Sequence, residues 1–225
     1  MRRSAAWAAP VPGDPPDEEL SSGLRRRFRR GVGACIRLPK QLPSDMGVAA
    51  VIVNHSTAMP THLHQVLPRF WAMPVQPITD VPLIRPSRVY IIPASRDLHL
   101  DGEVFHLAPV STPRSWPDVI TVFMQSLTQC RGGKLIAVIV AGCDGDGAVA
   151  LCGIKAVGGI TIAQKLSTVI QPDLPQRAIA SGCIDFVLSA EDIAKETARI
   201  ARAQLGASSP LPRARSFFCM RCRAG

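Results

Sequence analysis

The stretch from Lys134 to Gln164, KLIAVIVAGCDGDGAVALCGIKAVGGITIAQ, constrains the fold more than any other part of the chain. Leu135 to Val140 is an unbroken apolar run rich in β-branched residues, the pattern of a strand buried on both faces, which parallel sheets of α/β proteins produce. The run stops at Ala141-Gly142. The segment Gly142-Cys143-Asp144-Gly145-Asp146-Gly147 then places two carboxylates among three glycines where the strand's carboxyl end should meet a helix amino terminus. In open α/β sheets that edge is where ligands bind. Ala148 to Ala156 reads as a short helix, Gly158-Gly159 as its C-cap and Ile160-Thr161-Ile162-Ala163 as the next strand. The unit is β-turn-α-turn-β, and the class is α/β.

The same logic recurs along the chain. Val48 to Val53 is a second buried-strand run, followed at once by Asn54-His55-Ser56-Thr57, polar chemistry at another strand's carboxyl end. Thr61 to Trp71 has the pattern of an amphipathic helix broken by Pro68. Arg88 to Pro93 reads as a third strand, and Asp97 to Leu107 as a hairpin around Asp101-Gly102, a small antiparallel element at one edge of the main sheet. Asp118 to Cys130 carries Val119, Val122, Phe123, Ser126 and Leu127 at helical spacing. A short helix over Pro175 to Ser181, a last strand over Ile184 to Leu188 and a helix to about Leu205, opened by the capping box Ser189-Ala190-Glu191-Asp192, complete the pattern. Residues 32–205 therefore read as one domain. Residues 1–31, rich in Pro, Gly, Ser and charge, and residues 206–225 read as disordered basic tails.

A chain of 225 residues can hold one such core plus tails. No run of about 18 uncharged apolar residues is present to span a membrane. Prolines and acids follow Arg2-Arg3 where a signal peptide needs its apolar segment, so a cytoplasmic location is expected. The net charge of +9 gathers in Arg25 to Arg30 and in Arg213 to Arg223, outside the periodic region, which fits solvated tails rather than a specific nucleic-acid surface. The seven cysteines are an odd number, and Cys152 and Cys183, set among apolar residues, are expected as reduced thiols. Cys219-Met220-Arg221-Cys222 has metal or redox spacing, but four zinc ligands are not at hand, so no metal and no cofactor is expected.

His55 and Asp146 each lie just past a predicted parallel strand and so fall on one rim of the sheet. A histidine and an aspartate so placed suggest a general base and its orienter, with backbone N–H groups of the Gly-rich turn available to an oxyanion. The alternatives are a structural histidine and an aspartate that merely caps a helix.

At this point the chain resembles the chemotaxis protein-glutamate methylesterases of the CheB type. Val51-Ile52-Val53-Asn54-His55 resembles the family's strand-plus-histidine block, and Arg88 to Pro93 with Asp97 to Leu100 its "VYIAP…HL" block. Gly142 to Gly147 resembles "GMGxDG", Gly158 to Gln164 resembles "GGxTIAQD", and Leu174-Pro175-Gln176-Arg177-Ala178-Ile179 resembles "MPxxAI". The resemblance implies a doubly wound, mostly parallel α/β domain. It implies hydrolysis of γ-glutamyl methyl esters on the cytoplasmic region of chemoreceptors, with glutamine deamidation in many members. His55 would be the general base, Asp146 its orienter, and the backbone N–H of Cys143 part of the oxyanion hole.

The sequence departs from the family in three places. Asp144 replaces a glycine, adding a negative charge beside the oxyanion site. The family's nucleophilic serine, in a "GASxGG" turn, finds its nearest match in Gly31-Val32-Gly33-Ala34-Cys35, with a thiol for the hydroxyl. Cys35 stands only 20 positions before His55, which shortens the intervening helix by about two turns, roughly 10 Å. Only about 30 irregular residues precede the domain, so control by a preceding phosphoacceptor domain is expected to be absent in cis. Two readings follow: a methylesterase working through His55 and Asp146, its nucleophile unassigned with Cys35 the one candidate against a Cys35 of no catalytic role, or an inactive paralogue that binds a receptor tail or a receptor methyltransferase.

Overall fold

The structure is a computed structural model, which describes residues 38, 42–45, 47–53, 67–79, 83–93, 95–111, 118–130, 135–141, 146–169, 171–206 and 216–221. Nine strands are present among them: β1 (Val48–Val53), β2 (Val75–Pro77), β3 (Arg88–Ile91), β4 (Arg96–Asp101), β5 (Val104–Pro109), β6 (Leu135–Ile139), β7 (Ile160–Gln164), β8 (Phe186–Leu188) and β9 (Ser216–Arg221). The helices are α1 (Val119–Cys130), α2 (Ala150–Ala156), α3 (Asp173–Ala180) and α4 (Ala190–Gly206), with 3-10 turns at Leu67–Arg69 and Leu166–Thr168.

Seven strands form one sheet in the order β2-β3-β1-β9-β6-β7-β8, every neighbouring pair parallel. All residues of β1 and β6 are buried, as a sheet covered on both faces requires. One face, carrying Ala50, Ile52, Val138 and Ile162, packs on Trp71 and on Ile193 and Ile200 of α4. The other, carrying Val51, Tyr90, Ala137 and Ile139, packs on α1, α2 and α3 through Phe123, Leu151 and Ala178. The doubly wound α/β class is thus observed. β4 and β5 pair with each other in a second, two-stranded sheet, and Val104 of β5 makes an isolated antiparallel bridge to Leu83. Leu98, Leu100 and Phe105 of that hairpin join the α1 side of the core. Leu100 N–H donates to Ser126 Oγ at 3.1 Å, which ties the hairpin to α1.

Ser189 caps α4 as its sequence signature predicts: Asp192 N–H donates to Ser189 Oγ at 3.2 Å and the hydroxyl donates to Asp192 Oδ2 at 2.8 Å. Gly158, at φ +80°, ends α2 with its N–H on Lys155 O.

Two expectations are overturned. Residues 216–221, read from sequence as part of a disordered tail, are β9, the central strand, paired with β1 from Val48↔Ser216 to Val53↔Arg221 and with β6 from Leu135↔Phe217 to Ile139↔Arg221. SFFCMR is short and set among arginines, so the sequence pattern is weak; a backbone partner on each side is what makes it a strand. Cys152 and Cys183 are not separate thiols but a disulfide, because the exposed side of α2 brings Cys152 within 5.1 Å, Cα to Cα, of Cys183 in the turn before β8. Gly206 is the last residue of α4, while residues 207–215 and 222–225 of that tail, and all of 1–37, lie outside the described residues.

Candidate active site

The carboxyl ends of β1, β9 and β6 lie side by side, with Val53 and Ile139 both paired with Arg221. In sequence, Asn54-His55 follows β1 and the Gly142 to Gly147 segment follows β6. His55, Cys35, Cys143 and Asp144 lie outside the described residues. Of the residues singled out from sequence, Asp146 is the one whose geometry is described.

Asp146 is buried, 6% exposed, and its carboxylate reaches back to the start of α1. Oδ2 accepts from Ile120 N–H at 2.9 Å, and Oδ1 accepts from Thr121 N–H at 3.0 Å and from the Thr121 hydroxyl at 2.8 Å. The first N–H groups of a helix have no partner within it, and they carry the positive end of its dipole, so a buried carboxylate is held there strongly. Gly147 N–H donates to Thr121 Oγ1 at 2.9 Å, closing the link between turn and helix. Gly147 sits at φ +89°, and a Cβ there would stand 2.5 Å from Ile120 Cγ2. Glycine is therefore required by both backbone and space.

Both carboxylate oxygens of Asp146 are engaged by the start of α1, so the aspartate serves as a cap for that helix.

A further polar side chain occupies the same rim. Gln164, the last residue of β7, is 3% exposed. Its Nε2 donates to Thr168 O at 3.3 Å and to Thr168 Oγ1 at 3.2 Å, and its Oε1 has no hydrogen-bond partner among the described residues. Sequence reasoning passed over Gln164 and Thr121 as site residues; Gln164 lay within the quoted GGITIAQ block, whereas Thr121 carries no local signal.

At the base of β7, Asp185 ties three segments together. Oδ2 accepts from Thr161 N–H at 2.9 Å and from Thr161 Oγ1 at 3.0 Å, while Oδ1 meets Lys155 Nζ of α2 at 2.7 Å. Burial pushes its carboxyl upward, but the bonds from Lys155 and Thr161 and the lysine's charge outweigh that and leave it below the usual value. Among the described residues no cluster of three or more His, Cys, Asp or Glu could hold a metal ion.

The CheB methylesterase family model matches residues 30–197. The chain belongs to the CheB methylesterase family. A protein-glutamate methylesterase/protein-glutamine glutaminase of Moorella thermoacetica is 31% identical over 202 residues, covering 84% of this chain and 46% of the relative. A similarly named protein of Carboxydothermus hydrogenoformans is 31% identical over 168 residues, covering 72% and 49%. A putative one from Leptospira interrogans is 27% identical over 167 residues, covering 73% and 86%. The chain thus spans about half the length of the first two. The Thermotoga maritima CheB methylesterase catalytic domain shares the fold, with a TM-score of 0.69 at 24% identity, over 75% of this chain and 92% of that domain. No described helix of this CheB-family chain is long and apolar enough to cross a membrane.

Proposed function

We propose that this CheB-family domain hydrolyses γ-glutamyl methyl esters on the cytoplasmic region of methyl-accepting chemoreceptors, releasing methanol, and deamidates receptor glutamines at the same site. The observation that carries the reading is the shared register of β1, β9 and β6: Val53 and Ile139 flank Arg221 at one level of the sheet. His55 follows Val53, the last residue of β1, by two positions in the sequence. Asp146 stands at the end of the turn that leaves β6. In this mechanism the His55 imidazole takes the nucleophile's proton and returns it to the leaving group, and Asp146 holds the imidazole tautomer. Backbone N–H groups of the Gly142 to Gly147 turn, that of Cys143 among them, receive the oxyanion.

The nucleophile in this scheme is a thiol. Cys35 is the residue matching the family's serine turn. A second candidate is Cys222, which directly follows in sequence Arg221, the β9 residue paired with both Val53 and Ile139. A thiolate is the stronger nucleophile of the two chemistries, and a Cys-His-Asp set would serve both ester and amide.

The bonds from Asp146 to α1 favour a second reading, in which the aspartate is only a cap and the domain binds a receptor tail or a receptor methyltransferase without turnover. Methanol release from methylated receptor membranes decides between them, measured for wild type, Cys35→Ala, Cys222→Ala and His55→Ala. Release by wild type that is lost in His55→Ala and in one of the two cysteine variants supports the enzyme. No release by wild type leaves the interaction module.

A further inference from the structure

His99 and His106 stand directly opposite each other in the β4–β5 hairpin, and both are exposed. Alternation along the strands explains the placement: Leu98, Leu100 and Phe105 point into the core beside α1, so the histidines next to them lie on the outer face. The turn at Gly102, φ +56°, is what brings the two level. No short ligand motif marks a pair made this way, which is why the sequence reading expected no metal.

The backbone of the pair is fixed on both strands. Leu100 N–H donates to Ser126 Oγ at 3.1 Å and Leu100 O accepts the Cys130 thiol at 3.0 Å, so the backbone groups of Leu100 turn toward α1 and away from β5. Backbone groups alternate in direction along a strand, so His99 and His106 are a hydrogen-bonded pair, with Cα atoms about 5.5 Å apart. On β5, the Phe105 ring meets Tyr90 edge-on, with centroids 5.1 Å apart. At that spacing, imidazoles on one face can each bring a ring nitrogen to about 2.1 Å from a single ion, the usual metal–imidazole distance.

We propose that His99 and His106 form a chelating two-imidazole site for a divalent transition-metal ion of the copper, nickel and zinc class. Imidazole suits all of these ions, and affinity for nitrogen ligands rises to its maximum at copper. Ca2+ and Mg2+ take oxygen ligands instead and have none in the pair. Among the described residues no third His, Cys, Asp or Glu joins the pair, which leaves the remaining positions to water. The site is separate from the proposed esterase: the hairpin bonds to α1 at Ser126 and Cys130, towards the helix's end, whereas Asp146 holds its start. An ion held by both histidines bridges β4 and β5 and stabilises the hairpin.

The test is the amide NMR spectrum of the full chain titrated with Cu2+ held by iminodiacetate, a chelate with positions left open for imidazole. In wild type the signals of Leu98 to Leu100 and of Phe105 to Leu107 are expected to broaden before those of the rest of the chain. Paramagnetic broadening is local, so copper on the chain's other histidines or on its thiols is told apart from copper here. His99→Gln and His106→Gln are each expected to weaken binding at the hairpin about 100-fold, because one imidazole holds the ion at high effective concentration for the other. Both substitutions fall on exposed side chains, and the metal-free spectrum of each variant shows that it is folded. A hairpin left sharp in wild type overturns the site, as does wild-type affinity at the hairpin in either folded variant.

Discussion

Thr121, in the first turn of α1, donates both its backbone N–H and its hydroxyl to Asp146, 25 residues later in the chain, and receives Gly147 N–H on the same hydroxyl oxygen. The turn that should hold the catalytic carboxylate is thereby fixed to the helix across the sheet face. The capping bonds and the proposed catalytic role fall on one carboxylate, and substitution separates them.

Asp146→Ala strands three donors at the start of α1, two of them backbone N–H groups. The expected cost is about 2–4 kcal/mol, or a thermal midpoint lower by roughly 10 °C. Asp146→Asn keeps one carbonyl oxygen for these donors and is expected to lose about half as much, while methanol release falls as far as in the alanine variant. Calorimetry beside the esterase assay checks the split. Equal stability of wild type and Asp146→Ala would show that the cap contributes nothing.

A chain ending at Gly206 lacks β9 and leaves β1 and β6 with unpaired central edges. Exposed strand edges and a split sheet cost far more than the few kcal/mol by which domains are stable. The truncated chain is expected to be insoluble or to show no cooperative unfolding by circular dichroism. A sharp melting transition in it would mean that β9 is dispensable.

The Cys152–Cys183 disulfide closes a loop of 31 residues between α2 and the turn before β8. The chain-entropy estimate for a loop of that size is about 3–4 kcal/mol. Reduction, or Cys152→Ala with Cys183→Ala, is expected to lower the midpoint of urea unfolding accordingly, with the slope little changed. Thiol titration before and after unfolding counts the free cysteines and verifies the bond.

Asp185 has its carboxyl lowered in the folded state by Lys155 and Thr161 against the opposing effect of burial. Its contribution to stability is therefore full above the unfolded carboxyl value, near about 3.9, and fades as pH falls through the lower folded value. Half-exposed ion pairs contribute about 1 kcal/mol or less. Asp185→Asn is expected to be less stable than wild type at pH 7 by a small margin that closes below about pH 4. A difference that widened on acidification would contradict the assigned direction.

Much of the scaffold was legible in the residues themselves. The apolar runs of β1 and β6 could be nothing but doubly covered strands, and the capping box at Ser189 started α4 where it is observed. The motif blocks, read in order, led to the CheB family. These signals are local: each depends on periodicity, a turn residue or a cap within a few positions. β2, with a proline in three residues, and β9, with arginines around it, carry no such pattern, since their strand state comes from neighbours far along the chain.

The sequence by itself determined the α/β class, the family, and that polar chemistry follows β1 and β6 at one rim. Tertiary structure alone decided that a carboxyl-terminal segment fills the centre of the sheet, that Cys152 meets Cys183, that Asp146 caps α1, and that the Gln164 amide is buried against Thr168. The division has a physical cause. Covalent chain geometry and side-chain periodicity act over a few residues, whereas a hydrogen bond between Asp146 and Thr121 or a strand seated between β1 and β6 exists only once the whole sheet has closed.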